Sequence, residues 1–115
     1  MSQAFDQAEL LARVDNDWDF LAETVQMLES DGPATLAEIR RLAAAGDAPG
    51  VGRAAHALKG MISNFCAPPA SAAALAVEQI GKAGELATAP AAIDALEASL
   101  TVLIADLSDL LATRT

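Results

Sequence analysis

The stretch IDALEASLTVLIADLSDL, residues 93–110, carries its large aliphatic side chains at Ile93, Leu96, Leu100, Leu103, Leu107 and Leu110. Intervals alternating between three and four residues bring all six onto one helical face, the seam of a helix packed in a bundle. Such a seam needs partners, and the rest of the chain supplies them. Thr88-Ala89-Pro90 reads as the start of this last helix. Upstream, Pro68-Pro69 opens another, because proline is tolerated in a first turn whose amides have no partner. Its contact face is narrow and alanine-rich, with Ala73, Val77 and Ile80, and Gly81 and Gly84 mark its end. Small side chains there allow two helix backbones to come close.

Residues 50–65 place Val51, Ala54, Ala55, Leu58, Ile62 and Phe65 in one apolar stripe when the chain advances ~100° per residue. Asp47-Ala48-Pro49-Gly50 reads as the turn before it. Further upstream, Trp18, Leu21, Val25 and Leu28 are followed, beyond Gly32-Pro33, by Leu36, Ile39, Leu42 and Ala43. Proline removes a backbone hydrogen bond and crowds the carbonyl of Glu29, so two helices broken at Asp31-Gly32 are one alternative. The stripe stays in register across the break, which favours one long helix kinked near Pro33 and ending at Gly46. Asp15-Asn16-Asp17 suits its N-terminal cap. A short helix from Phe5 to Val14 precedes it, with Phe5, Ala8, Leu11 and Val14 available to cover the end of the bundle. The expected fold is all-α: an antiparallel up-down four-helix bundle with a short extra N-terminal helix, forming a single domain over residues 1–115.

Composition narrows the function. Sixteen acidic and seven basic side chains give a formal charge of -9, a poor match for a nucleic-acid backbone or an anionic membrane. No segment alternates apolar and polar residues as a half-buried strand would. Cys66 is the single cysteine, so no intramolecular disulfide forms, and a reducing compartment is the simplest reading. Met1-Ser2-Gln3-Ala4-Phe5-Asp6 shows neither the basic flank nor the apolar run of a leader, and a cytoplasmic monomer is expected.

His56 is the only histidine. On the helical wheel it lies roughly 150° from the centre of the apolar stripe, close to Arg53, Gly60 and Ser63, with Gly52 and Lys59 on the flank. The imidazole therefore faces solvent. Gly60, one turn later, costs ~1 kcal/mol relative to alanine in an exposed helix, and close approach of a second molecule would explain it. Ala57 and Ser63 keep the same surface low.

A neutral imidazole is a competent nucleophile, and a histidine in water is mostly neutral near pH 7. A phosphoryl group is the natural electrophile, because its transfer depends on positioning and charge neutralisation. The ammonium of Lys59, at i+3, can reach the oxygens of a phosphoryl group on the ring, and Arg53, at i-3, is placed to assist. The rest of a catalytic site is missing: the sequence has no phosphate-cradling glycine loop, kinase signature or carboxylate cluster for magnesium. Metal binding is the weakest rival, because zinc needs about three or four ligands and neither a second histidine nor a cysteine pair exists. No cofactor of the chain's own is expected.

The run Ala55-His56-Ala57-Leu58-Lys59-Gly60, followed by Asn64-Phe65 and by Val77-Glu78 in the next helix, resembles that of a histidine phosphotransfer (HPt) domain. The resemblance extends from Phe5 to about Ala112. It implies a phosphorelay intermediate, not an enzyme with its own kinase or ATP-binding domain. His56 would take a phosphoryl group from a receiver-domain aspartate and pass it to another response-regulator receiver, with a hybrid sensor histidine kinase upstream and magnesium on the partner receiver. Lys59 would stabilise the phosphohistidine, Gly60 would give the receiver room, and Glu78 would hold Nδ1–H so that Nε2 is free to react. One departure is Cys66, where the family usually has glycine; the end of the histidine helix is therefore expected to differ, with Pro68-Pro69 enforcing the turn. Cys66 itself reads as a small buried apolar residue.

A function from a different class is a helical adaptor that binds a signalling partner through the same surface and is never phosphorylated. An adaptor has no need of histidine, lysine and glycine at these offsets, so the sequence favours the phosphocarrier.

Overall fold

The computed structural model describes residues 4–113. Met1 to Gln3, on which part of the leader reading rests, lie outside the described residues. Five α-helices follow in order: α1 (Gln7–Arg13), α2 (Trp18–Ala44), α3 (Ala48–Ser63), α4 (Pro68–Ala83) and α5 (Ala89–Ala112), with a 3₁₀ turn at Leu86–Thr88 before the last. In the bundle, α2 packs on α3, α3 on α4, α4 on α5, and α5 closes the ring on α2. Short connections between long neighbours make successive helices antiparallel.

All six residues of the α5 seam are buried, together with Leu21, Val25, Leu28, Leu36 and Ile39 from α2. α2 runs through Pro33 without a break, and Gly32 is buried. A Cβ on Gly32 would lie 3.3 Å from Leu100, so the glycine that looked like a breaker makes room for α5. Asp17 caps α2, its side chain accepting the amide hydrogen of Phe20 at 3.0 Å.

The start of α3 departs from the sequence reading. Asp47 is an N-cap whose carboxylate accepts the Gly50 amide hydrogen at 2.9 Å, and Ala48-Pro49-Gly50 is already the first helical turn. Aspartate followed by proline is as good a helix opening as it is a turn. Within the stripe Val51, Ala55, Leu58, Ile62 and Phe65 are buried and Ala54 is half-buried.

Since α2 has 27 residues and α3 and α4 have 16 each, α2 outreaches them by about 16 Å. The overhang lies at the α3–α4 connection, and α1 is fixed there. The Asp6 amide donates to the carbonyl of Cys66 at 2.9 Å, and the Arg13 guanidinium donates to the carbonyl of Ser63 at 2.7 Å. Phe5 and Leu10 are buried, whereas Ala8 is exposed, so the inward face of α1 is rotated from the expected one. The larger aliphatic side chain decides which face turns in.

Candidate functional site

Helices α3 and α4 meet backbone to backbone. A Cβ on Gly81 would lie 2.4 Å from the amide nitrogen of Gly52 and 2.8 Å from the carbonyl oxygen of Ala48. Only glycine fits, and Gly81 is an interior contact, not the helix end the sequence suggested. The end is at Gly84, which adopts the left-handed conformation at φ +73°. This approach brings Glu78, one turn before Gly81, against the histidine of the neighbouring helix.

The His56 side chain is 69% exposed, while that of Glu78 is 2% exposed. Nδ1 of His56 lies 3.0 Å from Oε2 of Glu78. Lys59 brings its ammonium to 2.7 Å from Oε1 of the same carboxylate, and Lys82 brings its own to 3.0 Å from Oε2. The lysine contacts are charge pairing without the alignment of good hydrogen bonds, and Oε1 accepts none. One buried carboxylate thus gathers two ammonium groups and an imidazole.

Burying a carboxylate favours its neutral form, but Lys59 first and Lys82 second outweigh that penalty, with His56 adding to them, and hold Glu78 at a pKa of about 2. Glu78 is therefore ionised at neutral pH and can only accept hydrogen bonds. It follows that Nδ1 carries a proton and donates it to Oε2. In the neutral ring Nε2 is then left with its lone pair.

Gly60 and Ser63 lie exposed one and two turns beyond His56. A Cβ added at Gly60 would meet nothing within 4 Å, so packing within the chain does not require glycine there. Ser63 is turned back on its own helix, its hydroxyl donating to the carbonyl of Gly60 at 2.7 Å. That leaves the helix surface beyond the ring low and flat. On the other side of His56, Pro49, Gly52, Arg53, Gly81 and Lys82 line a groove of about 560 Å³. Arg53 is exposed and, among the described residues, has no ion-pair partner; Arg40 and Arg41 are paired with acids elsewhere on the surface.

All the residues singled out in the sequence fall on this face of α3 and α4, with His56, Lys59 and Glu78 in direct contact. Lys82 was missed. Its signal was its place four residues after Glu78 on one helix, the spacing at which opposite charges meet.

Cys66 lies in the α3–α4 connection at φ +54°, a left-handed conformation that favours glycine. The connection therefore makes the turn a glycine would make, and the expected difference at the end of the helix is absent. Cys66 is half-buried, with the Arg13 guanidinium 3.7 Å from its Sγ. Burial raises its thiol pKa, in keeping with a packing residue.

Among the described residues no group of acids, histidines and cysteines could hold a metal ion, and no helix is long and apolar enough to cross a membrane.

An exposed imidazole, oriented through one nitrogen on a helical bundle, is the arrangement of a phosphocarrier, and the comparisons assign the class. Residues 23–110 match the Hpt domain family, and the chain belongs to it. It is an Hpt-type phosphotransfer protein. Among solved structures it is similar to histidine-containing phosphotransfer protein B (HptB) from Pseudomonas aeruginosa PAO1, with a TM-score of 0.89 and 22% identity over 98% of each chain. At that identity the likeness speaks for the fold. A comparison with curated protein sequences gives no match.

Proposed function

We propose that His56 accepts a phosphoryl group from the aspartate of a response-regulator receiver domain and passes it to a second receiver. The supporting observation is the pairing of an exposed ring with a buried, ionised Glu78 at Nδ1. In the forward step the Nε2 lone pair attacks phosphorus, the bond to the aspartyl oxygen breaks, and the aspartate leaves as a carboxylate. The ring then carries Nδ1–H and a positive charge beside the negative Glu78, which lowers the energy of the phosphorylated form. Lys59, already at the site, offers its ammonium to the phosphoryl oxygens, and Arg53 flanks them from the groove. Gly60 and Ser63 leave clearance for the receiver.

The receiver would supply the magnesium that neutralises the transferring group. A hybrid sensor histidine kinase would stand upstream, and the protein would act as a single-domain cytoplasmic monomer without nucleic-acid or membrane binding. Incubation with a phosphorylated receiver should place an acid-labile, base-stable label on the wild type and none on His56→Ala. Label persisting on the alanine variant would overturn the assignment. Receiver binding by a wild type that never takes label would identify the adaptor instead.

A further inference from the structure

Lys82 and His56 share one atom. Both the Lys82 ammonium and Nδ1 of His56 lie 3.0 Å from Oε2 of Glu78, whereas Lys59 takes Oε1. Pairs of this spacing on a helix surface are ordinarily a minor contribution to stability. Here the acid is buried and is also the group that fixes the imidazole, so losing a cation has a second consequence.

The proposed transfer step makes that consequence acute. A phosphoryl group arriving on Nε2 brings negative oxygens into competition for Lys59. If Lys59 alone balanced Glu78, the carboxylate would lose its cation as the phosphoryl group approaches, before the ring has gained a positive charge of its own. A buried carboxylate without a counter-charge favours its protonated form, which holds the ring less firmly. Lys82 approaches the other oxygen from α4, and its side chain is 71% exposed, so its ammonium is not confined by packing. The charged and titratable groups around Glu78 are His56 and Lys59 from α3, with Arg53 along the groove, and Lys82 from α4.

We infer that Lys82 is a positioning residue for phosphotransfer, acting on His56 through Glu78 by keeping that carboxylate charged and aligned on Nδ1 while Lys59 is engaged by the phosphoryl group. The rate consequence rests on the proposed phosphotransfer; the effect on the ring does not.

The test is a double-mutant cycle between Lys82→Met and Glu78→Gln, read on the unphosphorylated protein by nitrogen-15 NMR of His56 and on transfer by the rate of labelling from phosphoramidate. Melting curves establish that each variant is folded. Wild type should show Nδ1 protonated and Nε2 bare, and Lys82→Met should shift the ring toward a mixture of tautomers. Its labelling should slow about fivefold, the scale of losing one partly exposed ion pair to the orienting group. Lys82→Arg should restore both readouts, and with Gln at position 78 the Lys82→Met step should cost less than about twofold.

Equal slowing in both backgrounds would overturn the inference and put Lys82 directly on the phosphoryl group. A wild-type spectrum and rate in Lys82→Met would overturn it as well, leaving a solvated lysine. A shifted spectrum in a protein that no donor labels would support the effect on the ring while rejecting the phosphotransfer reading.

Discussion

Between α2 and α5 the bundle is filled by leucines, Leu28 and Leu100 closing on Gly32, and its surface is decorated by Arg40, which pairs with Asp94 and Glu97 at 2.9 Å each. Between α3 and α4 two glycines meet, and a buried glutamate gathers charge. The first interface derives its stability from apolar area, and the exposed ion pairs beside it add little. The second gives up side-chain volume so that two backbones approach closely enough for a short acid to reach a histidine on the next helix. One pair holds the bundle together; the other sets the distance between Nδ1 of His56 and the carboxylate of Glu78.

Substitutions can separate these roles. Leu103→Ala, at a fully buried seam position, should cost about 3 kcal/mol of stability while leaving the contact between Nδ1 and Glu78 intact. Gly81→Ala should cost about 2 kcal/mol by forcing the helices apart, and it should also loosen that contact. Denaturant melts beside His56 NMR spectra would check both, and a Gly81→Ala spectrum identical to wild type would break the contrast.

Acid should probe the second interface selectively. Glu78 titrates at about 2 in the folded protein, below its ordinary 4.5, so unfolding takes up a proton wherever the two states differ. The resulting stabilisation is complete above pH 4.5 and is lost as the pH falls through about 2. Melting temperature should therefore fall more steeply over that window for wild type than for Glu78→Gln. Parallel curves would deny Glu78 its role as the charged centre.

The smallest effect is expected at Cys66→Gly. Relief of the left-handed backbone and loss of thiol packing oppose each other, as does the greater freedom of glycine when unfolded, and the net change should be under about 1 kcal/mol. A thermal shift well beyond about 5 °C would show that one of these effects dominates.

The two interfaces also differ in how readable they are. Large residues at three- and four-residue intervals announce α5 and the long α2, and the helical wheel puts His56 on the solvent face. Gly52 and Gly81 form no pattern of their own, because their meeting depends on how two helices cross, and a glycine late in a helix more often signals its end. The burial of Glu78 is undecidable from α4 alone, since what permits it is a lysine from each of two helices. Asp47-Ala48-Pro49-Gly50 misleads because turns and helix starts draw on the same residues, and α1 is too short for its phase to be averaged over several turns.

Gly60 and Gly81 also stand at opposite poles of mutational tolerance. In a library selected only for a folded bundle, Gly60 should accept any residue content in a helix, because open space surrounds it. Gly81 should accept alanine at most, and that at a cost in stability, because Gly52 and Ala48 already occupy the volume. If the proposed receiver docks over Gly60, selection for docking should reverse the tolerance there and leave Gly81 unchanged, so the two selections side by side would test that footprint on the surface of α3.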